Sequence, residues 1–401
     1  MTGTELFFID ALSSHISGKA PSAPDSVDPA ALISLANIHK LTPILYYELT
    51  KNCKGALPED CLAWIKRNAY MQITSQISKS KAFVETYGKL SDAGIRGIVV
   101  KGITLRALYP EPDLRLSSDE DMLVSAEDFE TAANLLLSLG FEEREKTDEE
   151  TNVRAFSDKK SGLLIELHNS LFPHTDEFNE NMASLFSGAA ERAEETIIDN
   201  CKMYTLAPTD ALLFLVLHSF KHFVYCGFGL RQIADLIVFA RTNVNSTNAE
   251  YILSSLEKVR ASGFFSAMLD VSEKHFGVDR EELGFGAVKR ETIDTHDLLE
   301  DVISGGAYGN SSPERVHSSL MTMTSASGGK KSSALSALFP PYAVMKERYP
   351  FVAKHKVLLP AGWCARIFKR VFSKGESFNA SETVEIGQRR VEMLKKYGVI
   401  K

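Results

Sequence analysis

Asp119 and Asp121 stand one residue apart in the run Asp119-Glu120-Asp121-Met122-Leu123-Val124. Side chains on a strand alternate between faces, so the two aspartates point the same way and Glu120 points the other. Two carboxylates held that close repel each other unless a cation lies between them, and hard oxygen ligands of this kind suit Mg²⁺, which is usually shared with substrate phosphates. Downstream, Leu163-Leu164-Ile165-Glu166-Leu167-His168 reads as a second strand. Its alternation puts Leu164, Glu166 and His168 on one face and Leu163, Ile165 and Leu167 on the other. An acid inside an apolar strand is costly unless it is paired or metal-linked. If the two strands are neighbours, Glu166 joins the aspartates as a third carboxylate, able to complete a metal site or to deprotonate an attacking hydroxyl. Taken singly, the same residues also read as an exposed acidic pair and a salt-bridge partner.

Upstream, Lys101-Gly102 lies where a short apolar strand, Gly97 to Val100, runs into a helical pattern. A glycine at such a junction lets backbone N–H groups approach phosphate oxygens, and a lysine adds positive charge. Arg115, four residues before Asp119, is placed to reach the same polyphosphate, or else to pair with an aspartate. His218 and His222 are four apart on a helix expected over 208–224, with Lys221 beside them. Ser219 stands where a zinc protease needs glutamate, so these histidines are read as lining a nucleotide or acceptor cleft. Arg231 and Asp235, also four apart on the next helix, read either as part of the same cleft lining or as a local ion pair.

The elements that must position these groups follow from periodicity. Helical spacing dominates from Glu5 to Gly94 and ends in one long helix from about Pro58 to Leu90. A mixed α+β region follows, and helices return from Pro208 onward. Four segments result: an N-terminal helical subdomain (1–94), an α+β core (95–206), a helical subdomain (207–325) and a basic helical region (326–401). The last 72 residues carry 15 Lys/Arg against 5 Glu, whereas the whole chain of 401 residues has a net charge of −7. The acidic body argues against coating by nucleic acid, although the tail leaves an anionic partner open. Five scattered cysteines show no zinc or disulfide spacing. No apolar run approaches the length of a membrane span, and the first residues read as an amphipathic helix, not a signal peptide, so a cytoplasmic protein is expected. The segment SASGGKKSS within 324–333 has Thr324 and Lys331 where a P-loop needs glycine and Ser/Thr, and it is read as a connecting loop.

The run GIVVKGITLRALYPEPDLRLSSDEDMLV, followed by a helix, a glycine and ELH, resembles a family of uncharacterised bacterial nucleotidyltransferases with the DNA polymerase β-type fold. That resemblance implies a polymerase β-type core, a small mixed sheet with helices, flanked by N-terminal and C-terminal helical subdomains. It assigns Asp119, Asp121 and Glu166 to catalysis and to Mg²⁺ or Mn²⁺. Lys101, Gly102, Arg115, His168, His218 and His222 form the nucleotide-binding group. The implied reaction moves a nucleoside monophosphate from an NTP, ATP foremost, to an acceptor: a small molecule, a sugar or a protein, with nucleic acid less favoured. Where the wider superfamily has Gly-Ser or Gly-Gly at the phosphate turn, this chain has Lys101-Gly102. The alternative reading is a non-catalytic nucleotide-binding or regulatory module on the same fold.

Overall fold

The computed structural model describes residues 1–19, 21, 27–144, 152–174, 176–290, 294–309, 349–363 and 380–400, together with single residues and short runs between 311 and 345. The 324–333 segment and Cys364 fall outside the described residues.

Two compact units are present, one made of residues 1–218 and 230–292, the other of 219–229 and 293–401. These boundaries differ from the four segments expected along the chain. The N-terminal helices do not stand apart, because their buried faces are completed by helices from far downstream. In the first unit α1 (Gly3–Ser17) starts at a capping box in which Thr2 and Glu5 satisfy each other's backbone N–H groups, and it ends at Gly18 in the left-handed region. Helices α2 (Pro29–His39) and α3 (Thr42–Lys51) pack on it, and so does a helix far downstream, since Ser13 Oγ donates to the carbonyl of Phe276, 263 positions away, at 3.0 Å.

α4 (Glu59–Asp92) is 34 residues long and presents Phe83, Tyr87 and Leu90 to the sheet. The sheet has seven strands: β1 (Ile98–Val99), β2 (Glu120–Leu123), β3 (Glu142–Glu143), β4 (Val153–Ser157), β5 (Leu164–His168), β6 (Glu194–Ile198) and β7 (Cys201–Thr205). Their order is β3-β4-β5-β2-β1-β7-β6. β5 runs parallel to β2, and β7 parallel to β1; the remaining neighbours are antiparallel. Val99, Met122, Ile165, Leu167 and Phe156 form one core with α4 and with α6 (Phe129–Ser138). Tyr87 ties helix to sheet: its hydroxyl donates to the carbonyl of Gly97 at 2.7 Å and accepts from the N–H of Tyr204 at 2.9 Å. Truncating Phe83 or Phe156, both fully buried, removes aromatic packing that costs about 3–5 kcal/mol in comparable cores.

The short α5 (Ile103–Arg106) follows β1, and α7 (Glu177–Ser184) precedes β6. The unit is completed by the first residues of α8 (Pro208–Tyr225) and by α9 (Leu230–Thr242), α10 (Ala249–Lys258) and α11 (Ser262–Phe276). The second unit holds α12 (His296–Gly305), α13 (Pro350–Lys354) and α14 (Ala380–Lys396). Within it Asp301 pairs with Arg315 at 2.9 Å, and Arg390 donates to the carbonyl of Phe223 at 2.7 Å. Among the described residues no helix is long and apolar enough to cross a membrane.

Candidate active site

The strand register decides which acids meet. Asp121 is directly paired with Glu166, so both project from the same face of the parallel β2–β5 pair, and His168 follows two residues later on that face. The opposite face carries Met122, Ile165 and Leu167 into the core, which fixes the sheet against a one-residue slip. Ligand atoms of Asp121, Glu166 and His168 lie within 4.8 Å of one another. Asp119 precedes β2 and stands outside that trio, although its charge acts on Lys101 and Glu166. The tight group is therefore one aspartate, one glutamate and one imidazole, whereas the sequence reading took three carboxylates as the metal ligands.

Lys101 closes this cluster. Its Nζ lies 3.1 Å from Asp121 Oδ2 and 3.3 Å from His218 Nε2. An ammonium only donates, so His218 Nε2 is the acceptor in that contact. His168 Nε2 is 3.0 Å from Asp121 Oδ1 and 3.8 Å from Glu166 Oε2. Burial opposes the charge on Lys101, but Asp121, Asp119 and Glu166 outweigh it and hold the ammonium above its ordinary value. Burial also opposes the charge on Asp121; Lys101 and His168 reverse that and bring its carboxyl down to about 2. For Glu166 the balance tips the other way, since burial and the two aspartates raise it beyond what Lys101 and His168 restore. A carboxylate kept ionised beside one poised to take a proton is the division of labour that acid–base chemistry requires.

The donor set is chemically suited to a divalent cation. Asp121 Oδ2 is buried and accepts no hydrogen bond of good geometry, with the Lys101 ammonium 3.1 Å away. Two carboxylates serve Mg²⁺, and the added imidazole widens the fit to Mn²⁺.

Two of the expected phosphate ligands are engaged elsewhere. The N–H of Ile103, the first donor after Gly102, points into the carboxylate of Glu120 at 2.7 Å. Gly102 has φ +78°, and a Cβ there would lie 2.0 Å from Glu120 Oε2. The glycine thus makes room for a protein carboxylate, and α5 has only four residues to offer an anion. Arg115 is buried against Asp235, with Nε to Oδ1 at 2.8 Å and Nη2 to Oδ2 at 2.7 Å, and Tyr109 donates to the same aspartate at 2.8 Å. Asp235 takes its partner across the fold and not from Arg231, which instead donates to the carbonyl of Leu116 at 2.8 Å. His222 contacts Cys226, with Nδ1 3.4 Å from Sγ in the second unit, whereas His218 belongs to the first.

The segment leading into β2 is held from two sides. Arg231 of α9 fixes Leu116, and Gln76 of α4 accepts the N–H of Ser117 at 2.7 Å. Neither Gln76 nor Tyr109 carries a sequence signal for this role. Glu120 does carry one: on a strand, Glu120, Met122 and Val124 share a face, which places an acid among core residues.

A family model described as uncharacterised nucleotidyltransferase matches residues 25–277, which include the whole sheet and every residue of the cluster. No curated protein and no solved structure matches the chain.

Proposed function

Because the chain belongs to this nucleotidyltransferase family, we propose that the Asp121–Glu166–His168 cluster is the centre of a metal-dependent transfer of a nucleoside monophosphate from an NTP to an acceptor hydroxyl. The observation that carries the proposal is the register that sets Asp121 against Glu166 with Lys101 at the same point. Polymerase β-type organisation is part of this reading, supported by a mixed sheet that brings acids from two parallel strands to one face.

Asp121 and Glu166, with Asp119 nearby, would hold Mg²⁺ or Mn²⁺, and His168 offers a nitrogen to the same set. A bound divalent ion supplies positive charge to the triphosphate and lowers the pKa of a coordinated hydroxyl. Lys101 neutralises phosphate oxygens, and His218, which touches its ammonium, steadies it. Glu166 either completes the metal site or accepts the proton of the attacking hydroxyl, placed for both by its register beside Asp121. The acceptor oxygen forms a bond to the α-phosphorus as the α–β bridging bond breaks, and pyrophosphate departs with the electron pair. Positioning and charge neutralisation provide most of the rate in such reactions.

One observation favours a second reading. The Lys101 ammonium already sits against Asp121, so the chain neutralises its own carboxylate with no cation from solution. A regulatory module that binds nucleotide without turnover fits that arrangement. Each of the four NTPs labelled at the α-phosphate, incubated with protein and Mg²⁺ or Mn²⁺ in a cell lysate, separates the two readings. Transfer predicts a labelled acceptor and released pyrophosphate; bound, unconverted nucleotide with no labelled product supports the module.

A further inference from the structure

We infer that Glu120 is a positioning residue that sets the direction of Lys101 by fixing the single peptide group between Gly102 and Ile103. Both ends of that peptide are held. Its N–H donates to Glu120 Oε2 at 2.7 Å, and its carbonyl accepts from Arg115 Nη1 at 3.4 Å and from the N–H of Arg106 at 3.0 Å. Arg115 is itself fixed by the two-point contact with Asp235 of α9. The glutamate reaches the turn because Gly102 has no Cβ and adopts φ +78°.

Glu120 and Asp121 are consecutive, so their side chains leave β2 on opposite faces. One strand therefore presents Asp121 to the Lys101 ammonium and, from its other face, holds the turn on which that lysine stands. The backbone restraint and the ion pair agree on one place for Nζ, 3.1 Å from Asp121. A buried carboxylate, 2% exposed, accepting one backbone N–H is worth placing in the core only if the turn must be rigid. This inference rests on the reading that Lys101 faces the nucleotide, but the geometry it concerns exists without nucleotide.

The test is lysine-selective acylation of the full chain with acetic anhydride, free of metal and nucleotide, with each site's rate read by peptide mass spectrometry. Exposed Lys66 serves as the internal standard. Glu120→Met keeps the volume and loses the acceptor; Glu120→Gln keeps an acceptor for the Ile103 N–H. Glu120→Met should speed acylation of Lys101 relative to Lys66 by about tenfold, the scale of one lost hydrogen bond. Glu120→Gln should restore the wild-type ratio. Loss of general stability would raise other buried sites as well and would not be rescued selectively at Lys101. If Glu120→Met does not fold, Gly102→Ala asks the same question from the other side, because the added Cβ displaces the carboxylate. An unchanged Lys101 rate in the folded variant, or equal acceleration in Glu120→Gln, overturns the inference. Since no nucleotide is present, failure of the transfer reading would leave this result standing, and the converse also holds.

Discussion

The two faces of β2 treat adjacent acids in opposite ways. Asp121 and Glu120 are both almost fully buried, yet the first is held down to about 2 and the second pushed up to about 7. Burial raises both; the difference lies in what answers it. Asp121 meets a lysine ammonium and an imidazole within hydrogen-bond distance. Glu120 meets one backbone N–H, with Arg106 and Arg115 acting at longer range, and burial wins. The side chain that stays charged is the one that the lysine ammonium and the imidazole face, and that face is where metal and phosphate chemistry can operate.

The largest expected effect breaks the charged face. Asp121→Asn should lower nucleotide transfer by about 1,000-fold, the scale for losing several kcal/mol of metal-derived stabilisation. It should also lower the melting temperature, because Lys101 and His168 lose their common partner. Transfer by the variant at the wild-type rate would move the site elsewhere. Next comes the support beneath the other face. Asp235→Asn leaves a buried guanidinium at Arg115 short of its counter-charge and should destabilise by about 3–5 kcal/mol in urea unfolding. The exposed pair Lys159–Glu142 provides the contrast, since Lys159→Ala should cost no more than about 1 kcal/mol.

Stability against pH sharpens the comparison further. Glu120 has a folded pKa above its ordinary 4.5, so its contribution is fully present below about 4.5 and is lost as pH rises through about 7. Asp121 is depressed, so its contribution is present above its ordinary 3.8 and is lost as pH falls through about 2. Metal-free wild-type protein should therefore lose about 2–4 kcal/mol relative to Glu120→Gln between pH 4.5 and 7.5, at 1.36 kcal/mol per pKa unit. Parallel stability curves for the two proteins would contradict the assignment. The smaller of the two effects on nucleotide chemistry is at Lys101. Lys101→Met should weaken ATP binding in Mg²⁺ by about 1–3 kcal/mol, as for a lost charge-assisted contact, with a modest fall in melting temperature because Asp121 loses its ion pair. Unchanged affinity in calorimetry would remove the lysine from the nucleotide site.

What could be read in advance divides along the same line. Periodicity carried the long helix to Gly94, the strand–turn–helix at Lys101-Gly102 and the alternation that separates Asp121 from Glu120, because these depend on residues close in sequence. β6 and α7 were not anticipated: β6 has mostly charged or half-exposed positions, and α7 spans only eight residues. Arg115 shows the limit most clearly. Local spacing offered it an aspartate four residues away and offered Asp235 an arginine four residues away, whereas the fold pairs the two across 120 positions. A two-point buried contact outweighs the about 0.3–0.5 kcal/mol that i,i+4 spacing on a helix offers, and no one-dimensional pattern records it. His168 joined the tight cluster for a related reason: alternation puts it on the face of Glu166, but only the pairing of Asp121 with Glu166 across two strands brings its imidazole to Asp121.

If Asp121, Glu166 and His168 form a cation site, the protein binds Mn²⁺ through them. Free Mn²⁺ would be followed by electron paramagnetic resonance during titration of wild-type protein and of Glu166→Gln, with and without ATP. Binding by the wild type that strengthens with ATP, and that weakens by about tenfold or more in the variant while the melting temperature holds, is the predicted result. Equal Mn²⁺ affinity in the two proteins would contradict the account.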